Sequence, residues 1–493
     1  MREQLPVERY DMLVGGRWTG SRTERTFDSH DPYTGETWAR VPRSSADDVA
    51  DAVEAAEAAF QGEWRSMTAS KRGLLLCRFA DLLAEEAENL ARLETRDNGK
   101  LISEMRMQLN YMPQWFRYFG GLADKIEGRV IPIDKPGVFN YTLEEPLGVI
   151  AAITPWNSPL MLATWKLAPA LAAGNTVVWK PSEYSSVSAL AFGRLFEKAG
   201  FPDGVVNIVT GFGHEIGEAL VKHPKVAKVA FTGGDASGRK VYGGAAEGLK
   251  KVTLELGGKS ANIVFADAKM DSAVPGIVSG IFAASGQTCI AGSRALVQRS
   301  VYDEVVERLV GFARTARIGD PLLEDTQVGP ITTEPQRKKV LDYIEIAKSE
   351  GATCLLGGGV PEGNGWFVQP TIFGDVSPQM RIAQEEVFGP VLSIIPFEDE
   401  DDAVRIANDT IFGLAAGVWT QDVGRALRLP KRLVAGTVWV NMYRATSPLS
   451  PFGGMKQSGF GRENGQTAIR EYLQEKSVWI DMENSIPAPF VQR

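Results

Sequence analysis

From residue 147 onward, short apolar segments alternate regularly with helical ones, and no other feature of the sequence restricts the fold as much. An apolar strand needs cover on both faces, and parallel neighbours need a helical crossover, so the pattern predicts a doubly wound parallel sheet. A second α/β series starts at Ser260. The strand-like segments, in order, are LGVIAAI, TVVWK, VVNIV, VAKVAFT and KVTLEL in the first series and ANIVF, RALVQ, ATCLLGG, VLSIIPF and AAGVWT in the second.

The segments outside these two series are shorter. Residues 11–42 predict hairpin strands, and helices are predicted from Ser45 to Phe60, about Lys71 to Asn89 and about Leu101 to Gly120. Residues 122–146 predict a hairpin, and the tail from 475 carries the strand SVWIDM. These last strands have no obvious sheet in either series, so they either pair across a subunit interface or form edges of the chain's own sheet.

Composition excludes several functions. The chain of 493 residues has 53 basic and 61 acidic side chains, a net charge of −8, which gives nucleic acid no basic surface to bind. Three scattered cysteines and three scattered histidines lack the spacing of metal ligands or of a disulfide framework. Reduced cysteines and the lack of a signal-like start predict a cytoplasmic protein. The most apolar stretch, 147–174, is too interrupted to span a membrane.

Cys289 differs from the other two cysteines in its surroundings. It lies in the Gly/Ser/Thr-rich segment SGQTCIAGSR, where free backbone N–H groups and exposure can lower a thiol pKa and make the sulfur a nucleophile. Cys77 and Cys354 lie in an apolar helix and a strand, which predicts buried, inert thiols.

Polar residues follow several of the predicted strands, where open α/β sheets bind ligands. Asn157 could donate to an oxyanion, or it could form an Asx turn or helix cap. Glu255 could be a general base or an exposed carboxylate at a strand end. Lys180 and Glu183 could bind a ribose or belong to an ordinary charged loop.

Several loops of the sequence could bind a phosphate or another ligand. No G-x-G-x-x-G follows the first strand. Gly233 and Gly234 open a helix and could admit a pyrophosphate, or form a simple turn. EEVFGP (385–390) pairs carboxylates with an aromatic ring, and the long loop 441–465 predicts a functional segment.

Taken in order, the segments ITPWN, KPSE, FTGG, ELGGKSANIVF, GQTCIAGSR, EEVFGPV and SPFGGMKQSGFGRENG resemble the aldehyde dehydrogenase superfamily over essentially the whole chain. The resemblance implies a Rossmann-like NAD-binding domain (1–121 and 147–255), an α/β catalytic domain (256–474) and a small β oligomerisation arm (122–146 and 475–493). It also implies a homodimer or homotetramer acting on a small aldehyde.

The resemblance further implies a role for each catalytic residue. Cys289 would attack the aldehyde, Asn157 and the backbone N–H of Cys289 would hold the oxyanion, and hydride would pass to NAD, leaving a thioester. Glu255 would activate the water that hydrolyses this thioester, with Lys166 and Glu463 in a positioning and proton-relay network.

The resemblance also implies a set of residues that bind the cofactor. Glu183 favours NAD over NADP because its carboxylate would repel a 2′-phosphate, although Lys180 softens that preference. Gly234 stands where many members have serine, so one hydroxyl near the pyrophosphate is lost. The full set is Ile153, Trp156, Lys180, Ser182, Glu183, Gly213, Phe231, Gly233, Gly234, Leu256, Glu386 and Phe388.

The implied substrate pocket is polar, which suggests a semialdehyde-type or other polar aldehyde. Arg444 could grip a carboxylate or carbonyl oxygen, or point to solvent or to an interface ion pair. Two other functions stay open: a dehydrogenase that passes the acyl group to coenzyme A, and a catalytically silent protein on the same fold. The pocket residues are Ser158, Leu162, Trp165, Arg444, Thr446 and Phe452.

Overall fold

A computed structural model of the chain describes residues 6–483 and Phe490. The strands are β1 (Glu8–Arg9), β2 (Met12–Val14), β3 (Arg17–Thr19), β4 (Thr26–His30), β5 (Thr37–Pro42), β6 (Val138–Pro146), β7 (Val149–Ile153), β8 (Thr176–Lys180), β9 (Val206–Ile208), β10 (Val226–Thr232), β11 (Lys251–Glu255), β12 (Ala261–Val264), β13 (Arg294–Gln298), β14 (Thr353–Leu356), β15 (Thr371–Gly374), β16 (Val391–Phe397), β17 (Phe412–Gly413), β18 (Ala415–Trp419), β19 (Thr437–Val440), β20 (Met455–Lys456), β21 (Gly459–Phe460) and β22 (Leu473–Asp481).

The helices surround these strands. They are α1 (Ala46–Gln61), α2 (Glu63–Ser66), α3 (Ala69–Glu85), α4 (Ala87–Asn98), α5 (Ile102–Tyr111), α6 (Pro113–Leu122), α7 (Pro159–Ala172), α8 (Ser186–Ala199), α9 (Gly213–Lys222), α10 (Asp235–Glu247), α11 (Met270–Phe282), α12 (Tyr302–Ala313), α13 (Glu334–Ser349), α14 (Arg381–Gln384), α15 (Glu400–Asn408) and α16 (Val423–Arg428). Short 3₁₀ helices lie at Ala123–Lys125, Ala283–Gly286, Arg299–Val301, Leu429–Lys431 and Gln466–Tyr472.

The first large sheet has the strand order β21-β11-β10-β7-β8-β9-β2-β3. Its five central strands, β11 to β9, are parallel, and β7 and β8 are buried along their whole length. The chain runs from β7 outward to β9 and then returns to β10 on the other side of β7. This reversal opens a crevice at the carboxyl ends of β7 and β10, where such sheets bind ligands.

The second sheet has the order β14-β15-β16-β13-β12-β18-β19 and is parallel apart from β14. Both predicted α/β series are therefore confirmed. The two sheets are also tied together, because β21, which lies inside the range predicted for the catalytic domain, pairs antiparallel with β11 of the first sheet.

The N-terminal helices differ in detail from the prediction. Ser45 caps α1, and the Ser45 and Asp48 side chains each accept a hydrogen bond from the other's backbone N–H. The single helix predicted from 71 to 89 is wrong: α3 ends at a non-helical Glu86 and α4 continues to Asn98. The helix predicted from 101 to 120 is also two helices, because Pro113 lacks an N–H and starts α6.

The two strands without an obvious sheet pair with each other. β6 and β22 form an antiparallel two-stranded sheet within the chain, with nine residue pairs from Leu473↔Pro146 to Asp481↔Val138. The first half of the predicted hairpin is only a bridge, in which Val130 faces Tyr141. The large side chains of Trp479 and Ile480 on this sheet are exposed.

Candidate active site

A cleft of about 620 Å³, measured to its open mouth, lies where the two large sheets meet. Its walls come from the loops after β7, β10 and β11, from the segment before β13 and from the segment before β16. It is lined by Pro155, Trp156, Asn157, Leu162, Thr232, Gly233, Gly234, Glu255, Leu256, Gly257, Cys289, Gln336, Lys339, Glu386 and Phe388. Residues predicted from several distant motifs therefore meet in one place.

The loop that carries Cys289 is strained and firmly held. Ala284, Ser285 and Gly286 have φ of 52°, 52° and 71°, and two of them are not glycine. A left-handed non-glycine residue costs about 1–3 kcal/mol and persists only where its surroundings fix it. The Ala284 N–H donates to Glu104 Oε1 at 2.8 Å, and Ser285 Oγ donates to the carbonyl of Gly329 at 2.7 Å.

The electrostatics of the cysteines correct two predictions. Burial, followed by the charges of Glu386 and Glu255, raises the pKa of the Cys289 thiol to about 12, where the sequence predicted a lowered pKa. The backbone N–H groups of Ile290 and Cys289 lower the thiol pKa, but their effect is smaller than that of burial and the two carboxylates. Cys354 is exposed and Cys77 is half-buried, so the prediction that both are buried is wrong; β14 is an edge strand.

Asn157 points toward the cysteine loop. Its side chain is 5 % exposed, and Nδ2 donates to the carbonyl of Gln287 at 2.9 Å. Gln287 in turn accepts the N–H of Thr332 at 2.9 Å, which anchors the loop to the second sheet's domain. The amide is thus oriented across the cleft, next to Cys289, rather than toward the start of α7.

Glu255 is buried, not exposed as the alternative interpretation required. It is 4 % exposed, it pairs in register with Thr232, and neither carboxylate oxygen has a hydrogen-bond partner among the described residues. Burial and then the charge of Glu463 raise its pKa well above the ordinary value of a glutamate. A carboxylate whose pKa is raised in this way is a stronger base than an exposed glutamate.

Lys166 and Glu463 form a buried ion pair beside Glu255. Their side chains are 1 % and 3 % exposed. Lys166 Nζ also donates to Thr232 Oγ1 at 2.7 Å, so the lysine is fixed to the end of β10. The sequence prediction that these two residues act together is consistent with this contact.

The cleft offers features that suit a dinucleotide. Gly234 precedes α10, and a Cβ added there would meet no heavy atom within 4 Å, so a ligand can approach the helix N-terminus closely. The Gly233 N–H donates to the Glu255 carbonyl at 3.0 Å. Glu386 accepts the N–H of Gly258 at 2.9 Å, and Phe388 meets the Trp156 ring edge-on at 5.3 Å.

The other predicted cofactor residues lie at neighbouring strand ends. Lys180 Nζ donates to the Pro181 carbonyl at 3.0 Å and lies 3.4 Å from Glu183 Oε2. Burial lowers the pKa of Lys180. Ile153, Ser182, Phe231 and Leu256 are buried. Gly213 begins α9, outside the residues that line the cleft.

Of the predicted substrate residues, only Leu162 lines the cleft, and the others have mixed contacts. Trp165 packs against Phe452 with ring centroids 5.0 Å apart, and Leu162 lines the cleft. Ser158 Oγ accepts a hydrogen bond of 2.6 Å from Lys100 Nζ. Arg444, at φ 66°, donates to the carbonyl of Ser279 at 3.2 Å, and Thr446 is half-buried in the same loop.

Sequence reasoning missed several residues of the site. Lys100 is buried beside Ser158, and Gln336 and Lys339 of α13 line the cleft. Gln336 Nε2 donates to the carbonyls of Val387 and Phe388, which fixes Phe388 at a φ of 59°. These residues lie in ordinary helical or turn sequence, which carries no signal of a ligand.

Comparison with known proteins decides the family. The model of the aldehyde dehydrogenase family matches residues 18–478. The chain belongs to the aldehyde dehydrogenase family. This confirms the family, the fold class and the enzyme class that the sequence predicted.

Individual relatives cover almost the whole chain. A (Z)-2-((N-methylformamido)methylene)-5-hydroxybutyrolactone dehydrogenase of Acinetobacter baylyi is 46% identical, over 99% of this chain and 100% of the relative. A betaine aldehyde dehydrogenase of Brucella anthropi is 45% identical, over 97% and 98%. The NAD+ complex of an aldehyde dehydrogenase from Bacillus cereus has a TM-score of 0.95 and 43% identity, over 96% and 97%.

Residues 6–483 and Phe490 lack two features of other protein classes. No helix there has both the length and the apolar character that a bilayer crossing needs. No group of three or more His, Cys, Asp or Glu side chains there is arranged to hold a metal ion.

Proposed function

We propose that this aldehyde dehydrogenase oxidises a polar or semialdehyde-type aldehyde to the carboxylate with NAD, through a covalent thioester on Cys289. One observation carries the proposal: Cys289, Asn157 and Glu255 line the same cleft at the junction of the two sheets. A thiol, an amide donor and a buried carboxylate are the groups that acyl formation and hydrolysis need.

Each residue has a defined task in this sequence. Cys289 Sγ gives its thiol proton to Glu255, which releases it to solvent, and the sulfur adds to the aldehyde carbon. Asn157 Nδ2 with the Cys289 N–H stabilises the oxyanion. Bound NAD would supply the acceptor for the hydride that this adduct loses. Glu255 then takes a proton from water as the water oxygen bonds to the acyl carbon, and the C–S bond breaks with its electron pair on sulfur.

The residues present fit NAD. The open N-terminus of α10 at Gly234 suits a pyrophosphate, and Glu183 beside Lys180 suits the hydroxyls of an adenosine ribose. Glu386 and Phe388 at the other end would hold the nicotinamide ribose. The NAD+ complex of the Bacillus cereus relative supports the same cofactor. NADP would meet the Glu183 carboxylate, which predicts weaker binding.

The polar residues near the cleft support a polar substrate. Ser158, next to Asn157, accepts a hydrogen bond from the Lys100 ammonium group, and Arg444 donates to the Ser279 carbonyl. Relatives named for betaine aldehyde and for a hydroxybutyrolactone derivative act on polar compounds. Trp165 and Phe452, whose rings are in contact, add an apolar group to the set.

A screen of NADH formation over aliphatic, aromatic and carboxylated aldehydes tests this proposal. We expect the carboxylated set to be preferred, and the preference to fall in Arg444→Ala but not in the exposed control Arg317→Ala. An unchanged preference in Arg444→Ala would remove Arg444 from substrate binding. Absence of NADH with every aldehyde would instead favour the catalytically silent alternative.

The transfer of the acyl group to coenzyme A is the second enzymatic alternative. The buried Glu255 disfavours it, because a base that activates water is not needed for that transfer. Product analysis with and without coenzyme A separates the two: free carboxylate at equal rates supports hydrolysis, and an acyl-coenzyme A product would contradict it.

The proposal also assigns a role to each domain of the chain. Residues 1–121 and 147–255 would bind NAD, 256–474 would carry catalysis, and 122–146 with 475–493 would form the oligomerisation arm; residues 1–5, 484–489 and 491–493 of these ranges lie outside the described residues. The exposed Trp479 and Ile480 on β22 support a homodimer or homotetramer assembled through this sheet. Three free cysteines suit the cytoplasm.

A further inference from the structure

Two neighbouring strands present a column of polar side chains on one face of the first sheet. β10 and β11 are parallel, with Lys228 opposite Lys251, Ala230 opposite Thr253 and Thr232 opposite Glu255. Because side chains alternate along a strand, all six project to the same face. The column therefore leads from Glu255 at the cleft toward the opposite end of the sheet, about 13 Å away at 3.3 Å per residue.

This column contains an unusual group of unsatisfied atoms. Among the described residues, Glu255 Oε1 and Oε2, Thr253 Oγ1, Lys228 Nζ and Glu463 Oε2 have no hydrogen-bond partner. All four side chains are 4 % exposed or less. Buried polar groups are almost always hydrogen-bonded, so neighbouring orphans of this kind indicate internal water between them.

The column has an outlet at the surface. Lys228 Nζ lies 3.9 Å from Glu471 Oε2, and the Glu471 side chain is 36 % exposed. The Tyr472 ring lies 5.1 Å from Lys228 Nζ and closes the column beside this outlet. Glu471 is therefore the point at which the buried column meets solvent.

Other charged groups also face the column. Lys166 and Glu463 lie at its cleft end, where Lys166 donates to Thr232. Lys251 donates to the Leu473 carbonyl at 2.7 Å, and Arg462 donates to the Gly454 carbonyl at 3.0 Å. Burial lowers the pKa of Lys228 to about 8, against the charge of Glu471. A lysine with such a pKa can release and regain a proton during turnover at neutral pH.

We propose that Thr253, Lys228 and Glu471 form a proton exit path that continues the Lys166–Glu463 pair from Glu255 to the surface. The inference rests on the proposed hydrolytic function. In deacylation, water gives its hydroxyl to the acyl carbon and one proton to Glu255, the C–S bond breaks, and Cys289 leaves as thiolate. The proton on Glu255 must leave before the next turnover, and the path carries it through Glu463, Thr253 and Lys228 to Glu471.

Two variants test the path, Lys228→Met inside it and Glu471→Gln at its outlet. We expect kcat to fall about tenfold, less than the 10²–10⁴-fold typical of losing the general base itself. The pre-steady-state NADH burst should keep its wild-type rate and amplitude, since thioester formation precedes the proton release. The solvent deuterium isotope effect on kcat should rise, and imidazole buffer, a small proton carrier, should restore part of the rate in Glu471→Gln.

The control is Lys225→Met, a surface lysine that pairs with Glu54 just before β10. It should match the wild type in kcat and isotope effect. Wild-type kcat and isotope effect in both test variants would overturn the proposal. Should Lys228→Met fail to fold, the exposed Glu471→Gln still decides. A wild-type enzyme without an NADH burst would instead refute the proposed function, whereas a normal wild type with unaffected variants refutes only the path.

Discussion

Glu94 provides a stability prediction that is independent of catalysis. It lies on α4 with 0 % exposure, and neither carboxylate oxygen has a partner among the described residues. Burial raises its pKa to about 8, Lys100 opposes this rise and Asp97 adds to it. Replacement by glutamine keeps the shape of the protonated acid and removes its ability to ionise.

The direction in which stability changes with pH follows from the protons that Glu94 binds in the folded and unfolded states. Between the ordinary pKa of 4.5 and about 8, the folded state keeps a proton on Glu94 that the unfolded chain has lost. Stability of the wild type must therefore fall as pH rises through this range. At 1.36 kcal/mol per pH unit, Glu94→Gln should stabilise the protein by about 1 kcal/mol at pH 5.5 and about 4–5 kcal/mol at pH 8.5.

Urea denaturation followed by circular dichroism at the two pH values measures this difference. The midpoint of Glu94→Gln should exceed that of the wild type by much more at pH 8.5 than at pH 5.5. The exposed control Glu85→Gln, on α3, should leave the midpoint unchanged at both. An equal gain for Glu94→Gln at both pH values, or a loss at pH 8.5, would refute the argument.

Three further predictions concern the active site. Asn157→Ala should lower kcat/KM by about 10²–10³-fold, as for other oxyanion donors, and a loss below threefold in steady-state kinetics would contradict the assigned role. After burial, the charge of Glu463 is the largest cause of the raised pKa of Glu255. Glu463→Gln removes this charge, so the acidic limb of the kcat–pH profile should move to lower pH. An unmoved limb would contradict the coupling between Glu463 and Glu255. Gly234→Ser fits its φ of −69° without a clash and adds a hydroxyl at the start of α10, so fluorescence titration should show tighter NAD binding, and weaker binding would contradict the assigned cradle.

Most of the fold could be predicted because its determinants are local. The apolar runs that became β7, β8 and β10 are buried along nearly their whole length, and period and length suffice to predict such strands. The errors fell at helix boundaries: a break at Glu86 has no proline or glycine to announce it. The pairing of β6 with β22 joins residues more than 300 positions apart, which no local pattern reveals.

The sequence placed several residues that line the cleft, but it did not predict the electrostatics there. The position of Cys289 in a flexible-looking turn suggested an exposed thiol with a lowered pKa, whereas Cys289 is half-buried, and desolvation together with the charges of Glu386 and Glu255 raises its pKa. Burial depends on what the rest of the chain places nearby, which the local sequence does not contain. Lys100 was missed for the same reason, since only the fold brings its ammonium group to Ser158.

The covalent intermediate on Cys289 is the central claim, and mass spectrometry of Glu255→Gln tests it most directly. The variant is mixed with NAD+ and an aldehyde that the wild type oxidises, then denatured and digested. The thioester should accumulate as an acyl group of the expected mass on the peptide that contains Cys289, with one NADH formed per adduct. An adduct on Cys77 or Cys354, or free carboxylate released at the wild-type rate without any adduct, would contradict the account.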